Sequence, residues 1–219
     1  MTSDTFEPLP PEAELALAWS APKVRAPLSI ALHLDRRLAR IVSRTTEPML
    51  GQMRLTWWRE ALAKPIADRP RGDAVLDAVG KHWAAREAWL MSIIDGWEIL
   101  VTAPKLEQNE AARFGASRGA FFGAFVPDAS INVSARLALA GSRWALADAA
   151  TAVSSEAERA ALIASARALA PAAGRIPSEV RGLAVFEALA QRAINRGGRP
   201  LLEGRGASLA ALRGAIFRN

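Results

Sequence analysis

Apolar positions recur at helical spacing along nearly the whole chain, and strict apolar–polar alternation is hard to find, so the pattern predicts an all-α fold. Ala, Leu, Arg and Glu, all good helix formers, dominate, while Val and Ile are sparse. A polar, proline-containing lead-in over 1–10 precedes a short helix from Pro11 to Ser20. Pro22 and Pro27 bracket a turn, and Pro27 suits the first turn of a longer helix reaching Arg44. Thr46 is placed to cap a helix from Glu47 to Lys64, with Pro48 near its start. In that helix Leu50, Met53, Trp57 and Ala61 form one stripe, widened by Leu55, Trp58 and Leu62. So wide an apolar face predicts burial in a packed bundle, with Trp57 and Trp58 in the core.

A loop rich in Pro and Gly follows from Lys64 to Gly72. Helical sequence runs from Asp73 to Val101, interrupted near Gly80 and stopped by Pro104. The next helix, Leu106 to Val126, carries Gly115, Gly119 and Gly123 on one face, a spacing that favours close approach of a neighbouring helix over room for a ligand. Ala-rich helices from Asn132 to Val153 and Glu156 to Leu169 come next. A turn from Pro171 to Pro177, a helix from Glu179 to Arg196, a loop from Gly197 to Gly206 and a last helix from Ser208 to Phe217, capped by Ser208, complete the chain. The expectation is eight to ten helices in one domain over 11–219, with no internal repeat.

Composition narrows the chemistry. The chain has no Cys and no Tyr, which removes disulfides, thiolate metal sites, cysteine nucleophiles and phenol acids. His33 and His82 are its two histidines, too few for a histidine-rich metal site, and His33 reads as an interior residue rather than a general base. The first fourteen residues are acidic, unlike a signal or transit peptide, and no run of 18 apolar residues is uninterrupted, so a cytoplasmic protein is expected. The net charge of +6 concentrates after Gly174, where eight Arg face three Glu. Such a segment is a solvated helix face or an attractor of phosphates, of the anionic inner face of a membrane, or of nucleic acid; the last lacks any recognised motif.

The stretch from Ala31 to Leu62, ALHLDRRLARIVSRTTEPMLGQMRLTWWREAL, resembles the first conserved block of the squalene/phytoene synthase family. In particular it resembles the bacterial branch, and the mitochondrial branch that includes a respiratory complex I assembly factor. Weaker similarities follow in order: MSIIDGWE at Met91–Glu98, the Gly-rich Arg118–Ala124, GSRWALAD at Gly141–Asp148, GRIP at Gly174–Pro177, and Val185–Arg196. The resemblance implies the all-α isoprenoid synthase bundle around a central cavity. Family synthases join two isoprenoid diphosphates head to head, using paired Asp-x-x-x-Asp motifs on facing helices. The i, i+4 spacing sets both carboxylates on one helix face, and the pairs hold Mg²⁺ against diphosphate.

Here the first pair begins at Asp35, but Ala39 stands four residues on, among Arg36, Arg37 and Arg40. The second pair falls either on Ala152 and Glu156 or on Asp148 and Ala152. Each motif keeps one acid at most. The candidate diphosphate or metal site is therefore Asp35, Arg36, Arg40, Arg54, Arg59, Asp148 and Glu156, with Asp35 and Glu156 as Mg²⁺ ligands if the protein is active. Two readings follow from the resemblance. One is a non-catalytic protein that binds a prenyl lipid or assists assembly of a respiratory complex, with no cofactor required. The other is a Mg²⁺-dependent transferase condensing two farnesyl or geranylgeranyl diphosphates. Each residue also has a structural reading: Asp35 as a local ion pair with Arg36 or Arg40, and Arg54 and Arg59 as stems packed along Trp58 and Leu55.

Overall fold

Proline and capping side chains start the helices much where the apolar spacing places them. The structure, a computed structural model, describes residues 6–45, 47–171 and 173–217. Among them are ten α-helices and no strand: α1 (Pro11–Trp19), α2 (Pro22–Arg44), α3 (Pro48–Ala63), α4 (Ala74–His82), α5 (Glu87–Thr102), α6 (Gln108–Gly119), α7 (Ile131–Ala152), α8 (Glu156–Ala168), α9 (Arg181–Asn195) and α10 (Ala207–Phe217). Proline opens α1, α2 and α3, where its missing N–H costs no helical bond. The Asp73 carboxylate accepts from the N–H groups of Val75 and Leu76 to cap α4, and Ser130 and Ser155 cap α7 and α8.

Several boundaries differ from the expectation. The long helix starts at Pro22, so Pro27 lies inside α2 rather than in its first turn; it forfeits one backbone bond, and the Trp83 indole N–H donates to its carbonyl at 2.8 Å. The helix after Asp73 breaks at Trp83–Arg86, where Ala85 adopts φ 63°, while Gly80 stays within α4. The Gly-rich helix ends at Gly119 and continues as a 3₁₀ stretch, Ala120–Phe125. Ser208 sits inside α10 instead of capping it. Thr46 lies outside the described residues.

The largest correction concerns α3. Its buried face is Gly51, Leu55, Trp58, Ala61 and Leu62. Leu50, Met53 and Trp57 point outward with Met49, and Trp57 is 41% exposed. Gly51 favours that face: a Cβ there would lie 3.1 Å from a Val101 methyl, so α3 seats closely on α5.

The core is centred on α7, buried at every position from Ala140 to Ala150, with α6, α8 and α9 around it. α5 bridges α6 to α3, and α9 carries α1 and α10. The three glycines of α6 and the following turn serve close packing, as expected. Gly115 faces Leu146, Gly119 faces the backbone of Gly141, and Gly123 faces the Trp89 ring. Between α2, α4, α5 and the C-terminal end of α7 a cavity of about 870 Å³ remains. No helix among the described residues is long and apolar enough to cross a membrane.

Candidate functional site

Asp35, midway along α2, is fully buried. Its carboxylate accepts two bonds from the Arg118 fork, Nε to Oδ1 at 2.7 Å and Nη2 to Oδ2 at 2.6 Å, and a third from the Trp97 indole at 2.8 Å. Arg118, also fully buried, donates from Nη2 to Asp148 Oδ2 at 2.6 Å and from Nη1 to the Ala145 carbonyl at 3.0 Å. Arg36 donates to the other Asp148 oxygen at 2.5 Å. The Trp97 and Trp144 rings flank the Arg118 guanidinium, with centroids 4.8 and 4.6 Å from its central carbon. Two carboxylates on α2 and α7 are thus tied together by one internal arginine from α6, with ring faces shielding its charge.

An arginine reaches this position because three glycines clear its path. A Cβ at Gly96 would meet Arg118 Cβ and its backbone N at 2.9 Å. One at Gly119 would meet the Gly141 carbonyl carbon at 2.2 Å, and one at Gly141 would meet the Gly119 oxygen at 2.3 Å. So α5, α6 and α7 approach nearly backbone to backbone around the guanidinium. Three of the weaker sequence similarities, at 91–98, 118–124 and 141–148, meet at this one crossing.

Burial alone would push the Asp148 carboxyl up; the charges and hydrogen bonds of Arg36 and Arg118 outweigh it and hold it at about 2. Burial disfavours the charged form of Arg118 as well, yet Asp35 and Asp148 raise its pKa above the ordinary arginine value. Because the Asp148 pKa is depressed on folding, its contribution is complete above the unfolded value of about 3.9 and vanishes as pH falls through about 2. The expected outcome is a stability loss of roughly 2 kcal/mol from this group between pH 4 and 2. Urea titrations at several pH values check it: in Asp148→Asn that component of the pH dependence disappears.

The cavity opens beside this network. Arg36, Arg37, Arg40 and Lys105 supply cations to its wall, Glu7 and Glu158 supply carboxylates, and Val42, Val75, Trp97, Leu100 and Leu106 are among its apolar members. The described part of the lead-in lies along it rather than outside the domain. Leu9 is buried, the Phe6 ring lies 4.6 Å from the His33 ring, and Glu7 pairs with Arg40. His33 is half-buried on the cavity wall, where burial lowers its pKa. Burial, reinforced by the charge of Asp148, raises the Glu12 carboxyl at the start of α1.

Of the residues the sequence singles out, Asp35, Arg36 and Asp148 are brought together, and Arg40 joins Arg36 on the cavity wall. The others lie elsewhere. Arg54 is exposed and donates to Thr45. Arg59 bridges Asp95 at 2.7 Å and Glu98 at 2.8 Å on the α3–α5 surface. Glu156 is 84% exposed in its side chain and pairs with Arg159, far in environment from the enclosed Asp35, so the two do not form a ligand pair. Sequence reasoning missed Arg118, Trp97 and Glu7. A signal for Arg118 was present: it is the lone charge in the run from Gly115 to Phe125, and a charge amid Gly and Phe implies a buried partner.

The residues present do not fit Mg²⁺ of the family type. Asp35 and Asp148 face each other, but both oxygens of each already accept guanidinium donors. Ala39 and Ala152, four residues beyond each acid, line the cavity and offer no oxygen. Two guanidiniums balance two carboxylates, so no net negative charge remains there to hold a dication. Among the described residues, no group of three His, Asp or Glu side chains is placed to hold a metal.

Neither a curated protein nor a solved structure matches the chain. A family model for squalene/phytoene synthase matches residues 12–111, and the segments from Arg118 onward lie beyond that match. The all-helical bundle around a cavity is consistent with the isoprenoid synthase fold. The matched stretch supplies Asp35, Arg36, Arg40 and Trp97, and over residues 12–111 the chain is similar to the squalene/phytoene synthase family.

Proposed function

We propose that this protein binds an isoprenoid diphosphate or prenyl lipid in its cavity without turning it over. The observation that carries the reading is Arg118, whose fork engages Asp35 and reaches Asp148 where a synthase would hold metal. In a synthase the metals neutralise the departing diphosphate; a guanidinium already committed to two buried carboxylates supplies no such charge to a ligand. The cavity supports binding: about 870 Å³, apolar walls for a hydrocarbon chain, and Arg36, Arg37, Arg40 and Lys105 for an anionic headgroup.

A peripheral, assembly-type role at a membrane-bound complex draws on a separate observation. Met49, Leu50, Met53 and Trp57 form an exposed apolar stripe on α3, with Arg44, Arg54 and Lys64 exposed nearby in sequence.

One experiment addresses these readings. Purified protein with Mg²⁺ is given farnesyl or geranylgeranyl diphosphate, with and without NADPH, while binding, diphosphate release and lipid products are followed; part of the sample is floated with anionic vesicles. Saturable binding without release is expected. Mg²⁺-dependent product would establish the transferase alternative instead, absence of binding would remove the lipid reading, and failure to float would remove the peripheral one.

A further inference from the structure

A second hollow lies apart from the central cavity, against the N-terminal half of α7. Its volume is about 440 Å³ and it shares no lining residue with the cavity. Its wall holds Arg136 and Arg143 from α7, Arg167 from the end of α8, and Arg175 from the segment before α9. No carboxylate lines it among the described residues.

The two α7 arginines are built into the protein. Arg136 is 3% and Arg143 4% exposed, and both donate to the carboxylate of fully buried Glu187 on α9. Arg136 Nε also donates to the Gly174 carbonyl at 3.3 Å, and Arg143 Nη2 to the Ala170 carbonyl at 3.0 Å. These bonds fix both guanidiniums without exhausting them. The Arg143 Nε–H is buried with no hydrogen-bond partner. Arg167 and Arg175 are exposed; Arg167 makes one long bond to the Ile194 carbonyl, 3.4 Å.

One carboxylate against four guanidiniums leaves a strong positive excess in a concave site. Structural pairing accounts for Glu187 with Arg136 and Arg143. It does not account for the convergence of Arg167 and Arg175 on the same hollow, where like charges repel unless an anion joins them. All four cations are arginines, whose planar forks match tetrahedral oxyanions in a way lysine does not.

We propose that this hollow is a binding site for a phosphate or diphosphate group, either free or on a lipid headgroup, independent of the central cavity. Arg136 and Arg143 form its rigid floor, and Arg167 and Arg175 close on the anion from the rim.

The test is calorimetric titration of the full chain with pyrophosphate at low salt, with hydrogen exchange locating the bound anion. Wild-type protein is expected to bind and to slow exchange around residues 164–169 and 187–191. The Arg167→Ala/Arg175→Ala double variant changes only exposed side chains and should melt as wild type does. Its affinity at this site is expected to fall about tenfold or more, since two charge-assisted contacts are lost. Arg40→Ala, in the central cavity, should leave the site intact. Unchanged pyrophosphate affinity in the double variant, or protection confined to the central cavity, would overturn the proposal. Vesicles containing phosphatidic acid, set against phosphatidylcholine alone, separate the sources. Retention that depends on Arg167 and Arg175 supports the proposal with a lipid headgroup as ligand; binding of pyrophosphate without such retention supports it with a free phosphate.

Discussion

Arg118→Ala is expected to destabilise the protein by roughly 3–5 kcal/mol, the cost of leaving one partner of a buried ion pair uncompensated. Two carboxylates lose their counter-charge together: Asp35, whose both oxygens Arg118 engages, and Asp148, which keeps only Arg36. The Trp97 and Trp144 rings lose the cation between them. For a chain of this length each kcal/mol moves Tm by about 2–4 °C, so a fall of roughly 6–20 °C should be seen by circular dichroism. Arg118→Lys should recover only part of the loss, because an ammonium cannot reproduce the fork that spans both Asp35 oxygens and reaches Asp148. Millimolar Mg²⁺ sharpens the test. If the guanidinium stands where the family holds metal, Mg²⁺ raises the Tm of Arg118→Ala by linkage and leaves wild type unmoved. An equal response in both proteins would mean that the arginine and a metal do not compete for the same carboxylates.

Gly119→Ala is also expected to damage folding, for a reason of geometry rather than charge. The added Cβ would fall 2.2 Å from the Gly141 carbonyl carbon and 2.6 Å from the Ser142 nitrogen, both backbone atoms. No rotamer change relieves such a contact; α6 and α7 must separate. Overpacking typically costs 1–3 kcal/mol, and a backbone-on-backbone clash at the centre of the core belongs at roughly the top of that range or beyond. Gly141→Ala should behave alike, its Cβ falling 2.3 Å from the Gly119 oxygen. Gly80→Ala is the control. Within α4 its Cβ meets only an Ile66 methyl at 3.3 Å, and a helix-interior alanine is favoured over glycine by about 0.8–1.0 kcal/mol, so stability should hold or rise. Urea unfolding of the three variants separates the outcomes: equal stabilities would refute the close α6–α7 approach. Because Arg118 adjoins Gly119, parting these helices also withdraws the guanidinium from Asp35 and Asp148, which couples the packing to the site.

Comparing α3 with α6 shows where sequence reading reached and where it stopped. In α3 two apolar stripes, Leu50–Met53–Trp57 and Leu55–Trp58–Leu62, run side by side, and periodicity predicts a helix without choosing which stripe faces inward. The choice falls to the fit of Gly51 against Val101 on α5, a contact between residues far apart in the chain. In α6 the glycine spacing predicted close packing, and the structure has it, because the absence of a side chain is a local property that any neighbour can exploit.

The candidate site divides along the same line. The sequence points to Asp35 as the acid of the first motif and to Glu156 as that of the second, with Asp148 as the alternative one helical turn earlier, because register along an Ala-rich stretch is ambiguous by a turn. The end of α7 at Ala152 and the Ser155 cap of α8 put Glu156 on the surface with Arg159, and Asp148 is the acid that meets Asp35 through Arg118. The lead-in read as a polar tail because its prolines and acids carry no helical period, yet Glu7 finds Arg40 and Leu9 finds the core.

What the sequence by itself determined is therefore the helical class, most helix limits and the placing of an alanine four residues beyond each of two acids, Asp35 and Asp148, since each depends on residue type and short-range spacing. Only the tertiary structure decided what those acids became. Arg118 lies 83 residues from Asp35 and 30 from Asp148 along the chain, and it meets both because glycines on α5, α6 and α7 let three helices converge. Coulomb energy and desolvation depend on distances through space, and those distances exist only once the helices have packed.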